Sequence, residues 1–282
     1  MVLESISDCG GFAQINNNSS FNGDMEGVLA ALAQGGKVTV RCPSGLTPFL
    51  VAAQEGHKDI CEVLLAHGSN VNEMVTKTNH TALHLAAGKG HEGAVKALLS
   101  WEAAVDPPDN WVTPRDNWVV TPLDLACQNG HMACVLTLLK AGASVTIHAN
   151  GFSPLLAAAQ NGHTDICGIL LEHGSDVNEV NPVTKHHALH LAAGEGHVAQ
   201  LEALLSWGAA IDLKDLTGMT SLDGACQEGH MPCVLALLKA GARGVLPIHM
   251  AARMNRVNIV KTLLEHDYSP DMVSHPEIHS QK

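Results

Sequence analysis

Apolar residues recur along this chain with the spacing of short amphipathic helices. Segments such as DICEVLLAHG at residues 59–68 place apolar side chains on one helical face and polar side chains between them. Upstream of most of these segments stands a Thr or Ser, which caps helices, often followed by Pro, which fits a first helical turn. A Gly-His dipeptide then separates the two helical patterns. The pattern predicts helix–turn–helix units that repeat along the chain.

The repeat is visible in two short motifs. A Thr-Pro-Leu-like segment precedes each Gly-His dipeptide, whose glycines are Gly56, Gly90, Gly130, Gly162, Gly196 and Gly229. A seventh copy begins at Leu246 and has Asn255 where the glycine should stand. Because Asn tolerates the left-handed conformation better than other residues, we expect Asn255 to adopt it.

These residues resemble the ankyrin repeat, a unit of 33 residues with a turn, two antiparallel helices and the signature T-P-L-H-x-A. The resemblance covers residues 23 to about 267. It implies an all-α solenoid of stacked helix–turn–helix units with projecting β-turn or hairpin fingers. One helix pair cannot bury both of its faces, so the stability of such a fold comes from stacking.

The predicted domain organisation follows the motifs. We expect a disordered N-terminal tail at residues 1–11, an ankyrin-repeat domain at residues 12–267 and a C-terminal tail at residues 268–282. Within the domain, a degenerate capping unit covers residues 12–46. Seven repeats then start near residues 47, 81, 121, 153, 187, 220 and 246.

A longer period lies on top of the repeat. Residues 54–74 return 106 residues later as 160–180, whereas residues 125–143 return only 99 residues later as 224–242. The difference of seven residues is one copy of the doubled heptad in DNWVTPRDNWVVTP, residues 109–122. The sequence therefore indicates a duplicated block of three repeats, one connection of which was lengthened into a longer finger.

Two connections and four tryptophans stand out from this regular pattern. Trp101 and Trp207 end second helices at equivalent positions, and we expect them to pack in the structure. Trp111 and Trp118 belong to the longer finger, where an exposed aromatic ring is a plausible binding hot spot. Between repeats six and seven the finger is missing, which predicts a break in the surface near Arg243 and Gly244.

Composition narrows the function. The chain has 16 basic and 28 acidic residues, a net charge of -12, which opposes binding to nucleic acid. No apolar run is long enough to span a membrane, and the N-terminus lacks signal-peptide features. We therefore expect an intracellular protein that does not insert into membranes. The cytoplasm is favoured over the nucleus as its compartment. Six of its eight cysteines fall in helical patterns, which indicates reduced core thiols.

Three constellations could carry chemistry, and each has a structural explanation. The Gly-rich segments at Gly88 and Gly194 match a dinucleotide pattern, but they form inter-helix turns and follow no strand. The cluster His186, His187 and His190 lies at a finger-to-helix junction without a Cys or carboxylate evident nearby. Asp124 and Asp223 are interpreted as hydrogen-bond acceptors for a neighbouring turn. We expect no enzyme activity, no cofactor and no metal, although a metal or small-molecule sensor at the His cluster stays a weaker alternative.

The resemblance to ankyrin repeats also implies where a partner binds, namely the residues before each Gly-His turn and the fingers. The predicted partner-binding residues beside the turns are Gln54, Glu55, Lys89, Gln128, Asn129, Gln160, Asn161, Glu195, Gln227 and Glu228. Those in the fingers are Lys77, His80, Trp111, Arg115, Trp118, Phe152 and Lys185.

The expected function is non-catalytic protein–protein interaction. A monomeric scaffold would bind a protein or peptide on its concave groove and fingers, and no small-molecule substrate is expected. The alternative is that the chain is the recognition or targeting module of a larger assembly, such as a ubiquitin-ligase substrate adaptor or an effector enzyme. The active part of that assembly would then lie outside this chain.

Overall fold

A computed structural model describes residues 17–106, 120–146, 153–266 and 268. Within these ranges the chain forms sixteen short α-helices, and its extended pairing is limited to an isolated antiparallel bridge between Met74 and Thr81. The chain divides into two compact units, Met1–Ser144 and Val145–Lys282. The all-α architecture confirms the predicted fold class, whereas the predicted tails lie almost wholly outside the described residues.

The helices occur in pairs in both units. The first unit contains α1 (Asn17–Asn22), α2 (Met25–Ala33), α3 (Pro48–Glu55), α4 (Lys58–Ala66), α5 (Ala82–Lys89), α6 (Glu92–Ser100), α7 (Pro122–Gln128) and α8 (Met132–Lys140). The second unit contains α9 (Pro154–Gln160), α10 (Thr164–Glu172), α11 (Ala188–Glu195), α12 (Val198–Ser206), α13 (Ser221–Glu228), α14 (Met231–Lys239), α15 (Pro247–Arg253) and α16 (Val257–Glu265). In each unit, first helices pack against first helices of the next repeat.

The first helix of most repeats begins after a side chain that caps it. The hydroxyl of Thr47 accepts a hydrogen bond from the backbone of Leu50 at 3.3 Å. In α7 and α13 the cap is reciprocal, because the aspartate three residues later accepts hydrogen bonds from the threonine backbone and hydroxyl. This capping box satisfies backbone N–H groups that the helix leaves free. Asp124 and Asp223 therefore cap their own helices.

Asp223 also fulfils the expectation that it bonds a neighbouring turn. Its carboxylate accepts hydrogen bonds from the backbone N–H groups of Val245 and Leu246, at 2.9 and 2.8 Å. The backbone N–H of Arg243 donates to Asp212 at 2.7 Å, and the Tyr268 hydroxyl donates to the carbonyl of Ala242. The short connection before α15 is thus held by side chains of the preceding repeat and by Tyr268.

The Gly-His dipeptide locks successive repeats together. In the first unit, a Cβ added to Gly56 would lie 2.5 Å from the imidazole of His91, so only glycine leaves room for that ring. His131 in turn donates a hydrogen bond from Nε2 to the carbonyl of Gly88 in the preceding repeat, at 3.1 Å. The glycine therefore accommodates the next imidazole in addition to reversing the chain.

The seventh repeat solves the same problem with other residues. Asn255 has a φ of 56°, which confirms its predicted left-handed conformation. Arg256 takes the place of the imidazole: its guanidinium packs on Gly229 and donates from Nε to the carbonyl of Gln227 at 3.4 Å. Asn255 and Arg256 thus differ chemically from Gly and His but keep the same turn and the same contact with the preceding repeat.

The core consists of small aliphatic side chains and thiols. Seven cysteines within the described residues are free and buried. Burial raises the pKa of the Cys61, Cys167 and Cys226 thiols to about 12, so they remain protonated and behave as apolar groups. Trp101 and Trp207, by contrast, keep 43% and 45% of their surface exposed, which corrects the expectation that both pack in the structure.

Candidate partner-binding surface

The residues before each Gly-His turn form a polar row at the C-terminal ends of the first helices. In the first unit, Lys89, Gln128 and Asn129 are exposed, and Gln54 and Glu55 are partly exposed. These side chains stand at the ends of helices that are fixed by packing, so their backbone is already ordered before a partner binds.

The second unit presents the same row. Gln160, Asn161, Glu195 and Glu228 are exposed, and Gln227 is partly exposed. We call three exposed side chains of this row, Gln160, Glu195 and Glu228, the turn row of the second unit. The amide of Gln160 makes no hydrogen bond within the described residues, which leaves its donor and acceptor for a partner.

Hydrogen bonds within the row hold several of these side chains in place. The amides of Asn129 and Asn161 each donate 2.9 Å hydrogen bonds to the carbonyl four residues earlier, which satisfies the end of their helix. Gln54 and Gln227 each donate to the following glutamate, at 3.1 and 2.9 Å. These four amide side chains are therefore preorganised.

The fingers place the other predicted residues in two environments. Lys77 and Lys185 are exposed. His80 is half-buried, because its ring stacks on His84 with the ring centroids 5.3 Å apart. Trp111, Arg115, Trp118 and Phe152 lie outside the described residues.

Two neighbouring fingers of the second unit carry an apolar surface that the sequence analysis did not select as a whole. Val183 is 64% exposed and Leu216 is 69% exposed. The backbone N–H of Leu216 donates to the carbonyl of Thr184 at 3.0 Å, so the two fingers touch at their tips. The sequence does contain a signal for this surface. Val183 is the counterpart of Lys77, 106 residues earlier in the first copy of the duplicated block, so an apolar side chain stands where the other copy has a charged one.

A shallow cleft of about 210 Å³ opens at the base of the first of these fingers. Leu156, Ala157 and Leu191 supply its apolar lining. Its polar lining comes from Ser153, Gln160, Asn181, Thr184 and His186. The cleft is smaller than the 300–1,000 Å³ that is usual for small-molecule sites, so it fits a single side chain better than a whole ligand.

The three-histidine cluster packs in the structure as rings. The centroids of His187 and His190 are 4.1 Å apart with their planes nearly perpendicular, and His186 stacks on His190 at 5.6 Å. Burial lowers the pKa of His187 to about 3, helped by the neighbouring His190 and His186, and burial also lowers the pKa of His190. His190 donates from Nε2 to the carbonyl of Met219 at 3.0 Å.

The described residues contain neither a cluster that could hold a metal ion nor a helix that could cross a membrane. No three His, Cys, Asp or Glu side chains within these ranges are grouped so that they could hold a metal ion. Among the helices described, none is long and apolar enough to cross a membrane.

The stacked helix pairs, the Gly-His interlocks and the exposed polar side chains before the turns define an α-helical repeat protein. The family model for ankyrin repeats (3 copies) matches residues 18–110, 108–181, 173–245 and 189–274. The chain belongs to the ankyrin-repeat family.

Individual relatives and a solved structure agree with this assignment. The chain is 31% identical over 215 residues to ankyrin repeat protein nuc-2 of Neurospora crassa, a match that covers 74% of this chain and 20% of that protein. It is 32% identical over 260 residues to ankyrin repeat and KH domain-containing protein mask-1 of Caenorhabditis elegans, covering 78% of this chain and 10% of that protein. The crystal structure of the human ASB11 ankyrin repeat domain is similar with a TM-score of 0.70 and 28% identity, over 80% of this chain and all of that chain.

Proposed function

We propose that this chain is a non-catalytic scaffold that binds a protein or peptide partner through the polar residues before its Gly-His turns and through its fingers. The observation that carries the proposal is the contrast within each helix pair. The residues that interlock the repeats are fixed by packing, whereas most residues immediately before them are polar, reach solvent and stand on an ordered backbone. Such a surface binds without a large cost of ordering.

The chemistry of the surface favours a polypeptide partner over other classes. Amide side chains such as Gln160 match the donors and acceptors of a peptide backbone. A net charge of -12 repels nucleic acid. The shallow cleft is too small to enclose a typical small molecule.

The proposal is tested by capture from cell extract with a variant of the turn row. Gln160→Arg, Glu195→Arg and Glu228→Arg, combined in one variant, replace three exposed side chains of the second unit. If the turn row binds the partner, the variant should capture at least tenfold less of the proteins that the unchanged chain captures, as measured by quantitative mass spectrometry.

A matched control carries the same kind of change on the second helices, with Glu172→Arg, Glu202→Arg and Glu265→Arg at exposed positions. This control should capture the same proteins as the unchanged chain. Equal capture by the turn-row variant and the control, with both variants folded by circular dichroism, would remove the turn row from the proposal.

The longer finger is included in the proposal on sequence grounds. It has a doubled heptad with Trp111, Arg115 and Trp118, and large aromatic and Arg side chains are enriched at binding hot spots. Replacing both tryptophans with Ala should weaken the captured complex by about 1 kcal/mol or more. Unchanged affinity would remove these residues from the site.

A second candidate function is recognition within a larger polypeptide or assembly. The chain spans 20% and 10% of the lengths of the two relatives described above, and 35% of human palmitoyltransferase ZDHHC13. Repeats in such proteins occupy only part of the chain, so the same domain could select the target for an activity encoded elsewhere. Sequencing the full-length reading frame and testing its product for binding and catalysis separates the two candidates.

A further inference from the structure

The touching fingers of the second unit form a surface with a distinct chemistry. We call the four exposed residues Val183, Lys185, Lys214 and Leu216 the finger-tip patch. Val183 and Leu216 are the two most exposed large apolar side chains among the described residues. Apolar side chains exposed to this degree next to one another are typical of interaction sites.

The backbone holds the finger-tip patch in a fixed geometry. Asn181 accepts hydrogen bonds at its side-chain oxygen from the backbone of Val183 and Thr184, at 2.8 and 3.0 Å, which closes the first tip. Asp215 closes the second tip through hydrogen bonds from the backbone of Thr217 and Met219, both at 2.8 Å. A patch that is already ordered keeps more of its interaction free energy on binding.

The exposed charges of the patch are both positive. Lys185 and Lys214 form no ion pair within the described residues. The neighbouring Asp215 points into the finger: its side chain is only 9% exposed and faces His186, with 3.4 Å between its Oδ2 and Nε2 of the imidazole. Two exposed ammonium groups at neighbouring finger tips stand out on a chain with a net charge of -12.

The cleft beside the patch defines what the partner must insert. Its lining joins the base of the first finger to Leu156 and Leu191. A volume of about 210 Å³ accommodates one aliphatic or aromatic side chain, and the free amide of Gln160 at its edge can pair with the backbone on either side.

We propose that the finger-tip patch and the adjacent cleft bind a short segment of a protein partner that places one apolar side chain in the cleft and acidic side chains against Lys185 and Lys214. Charge complementarity selects the acidic flanks, and the exposed Val183 and Leu216 select the apolar residue. The inference rests on the proposed function, since it assumes that the repeats recognise polypeptide.

The test uses a display library of short random peptides selected on the intact chain, followed by anisotropy measurements with the enriched peptides. The selected sequences should combine one Leu, Ile or Phe with two or more Asp or Glu. Lys185→Glu combined with Lys214→Glu should weaken binding at least tenfold, and Leu216→Ser combined with Val183→Ser should weaken it at least fivefold. Added salt should also weaken binding, because exposed charges are screened.

The matched control is Lys239→Glu combined with Lys261→Glu, which makes the same change of charge at exposed positions of second helices in the same unit. Its affinity should equal that of the unchanged chain. Circular dichroism should show that all variants are folded.

The outcomes separate this inference from the proposed function. Peptides without acidic residues, affinities that both patch variants leave unchanged, or the absence of any enriched peptide would overturn the inference. If the peptides bind but respond only to Glu195→Arg combined with Glu228→Arg, which leaves Gln160 at the cleft unchanged, recognition of polypeptide stands and the patch is excluded. If the turn-row variant also leaves capture from extract unchanged, the proposed function fails as well.

Discussion

Two junctions of the duplicated block, one in each unit, begin their first helices in different ways. At Thr81 the helix has a capping box: the threonine backbone and hydroxyl donate to Nδ1 of His84, at 3.2 and 2.8 Å. At the equivalent His187 the box is lost, and Nδ1 of the imidazole accepts a hydrogen bond from the backbone of Leu189 at 3.2 Å. Nδ1 of His190 then has no hydrogen-bond partner within the described residues.

The contact to the next repeat is the same at both junctions. His84 donates from Nε2 to the carbonyl of Val120 at 2.8 Å, and His190 donates to the carbonyl of Met219 at 3.0 Å. The missing reciprocal half of the capping box is replaced in part by packing, because the ring of His187 lies 4.1 Å from that of His190. The comparison teaches that these repeats preserve the bond between neighbours while the cap within one repeat is allowed to change.

Acid should produce the largest effect and should separate the junctions. Burial lowers the pKa of His84 to about 4 and that of His187 to about 3, from an ordinary value of 6.5. The folded state disfavours the protonated rings. The stability that the neutral rings contribute is therefore complete above pH 6.5 and is lost as the pH falls. The loss is on the order of 3 kcal/mol for each ring by pH 4.

The two losses should end at different pH values. Below pH 4 the loss at α5 should level off, whereas the loss at α11 should continue to about pH 3. Hydrogen exchange of the two helices, corrected for intrinsic rates, measures this. His187→Thr should remove the contribution of that ring at α11 and leave the contribution of His190, whose pKa burial also lowers. An unaltered pH profile in that variant would show that His187 is not the titrating group.

The same truncation at both junctions should cost different amounts. His84→Ala should destabilise α5 by about 3 kcal/mol, because it removes the bond to Val120, the capping box and buried volume. His190→Ala should destabilise α11 by about 2 kcal/mol, since no capping box is lost there. Local stability from native-state hydrogen exchange is the measurement, and equal costs would contradict the role assigned to the box.

A buried amide distinguishes the units at a second position. Gln200 is 1% exposed, and neither atom of its amide has a hydrogen-bond partner within the described residues, whereas the equivalent Ala94 is fully buried. Ala94→Gln should destabilise the first unit by about 2 kcal/mol through overpacking and an unpaired amide.

The reciprocal change is Gln200→Met, which keeps the volume and removes the polar atoms. It should stabilise the second unit by about 1 kcal/mol. Urea unfolding followed by circular dichroism measures both variants. A loss of stability in Gln200→Met would mean that the amide pairs with a neighbour, the nearby Cys167 thiol being the first to examine.

The smallest effect concerns an exposed helix position. Gly93 lies in α6 with open space around its missing side chain, and the equivalent residue of the second unit is Ala199. Gly93→Ala should therefore stabilise the first unit by about 0.5–1 kcal/mol through helix propensity alone. Gly90→Ala is the contrasting control. It should destabilise, because Gly90 has a φ of 80° and its added Cβ would lie 2.6 Å from His131.

Much of the fold could be predicted because the repeat is specified by residues that are close together in the sequence. Helix caps, the Gly-His turns and the apolar spacing each depend on residues within one unit, and the left-handed Asn255 followed from the same reasoning. The exposure of Trp101 and Trp207 could not be read in this way, since it depends on which surfaces the neighbouring repeats cover.

The candidate site was predictable only in outline. The turn row follows from its position before each Gly-His dipeptide, whatever its residues are. The finger-tip patch required knowing that residues 184 and 216 touch, although they are 32 positions apart in the chain. The free charges of Lys185 and Lys214 likewise became visible only when their neighbours were known.

The sequence by itself determined the class of fold and the order of helices, because caps, turns and amphipathic faces are short-range properties of the chain. The tertiary structure decided how repeats are joined, through an imidazole that occupies the space left by a glycine one repeat earlier. It also decided which side chains stay free for a partner. Those outcomes depend on contacts between distant residues, and such contacts exist only after the helices have stacked.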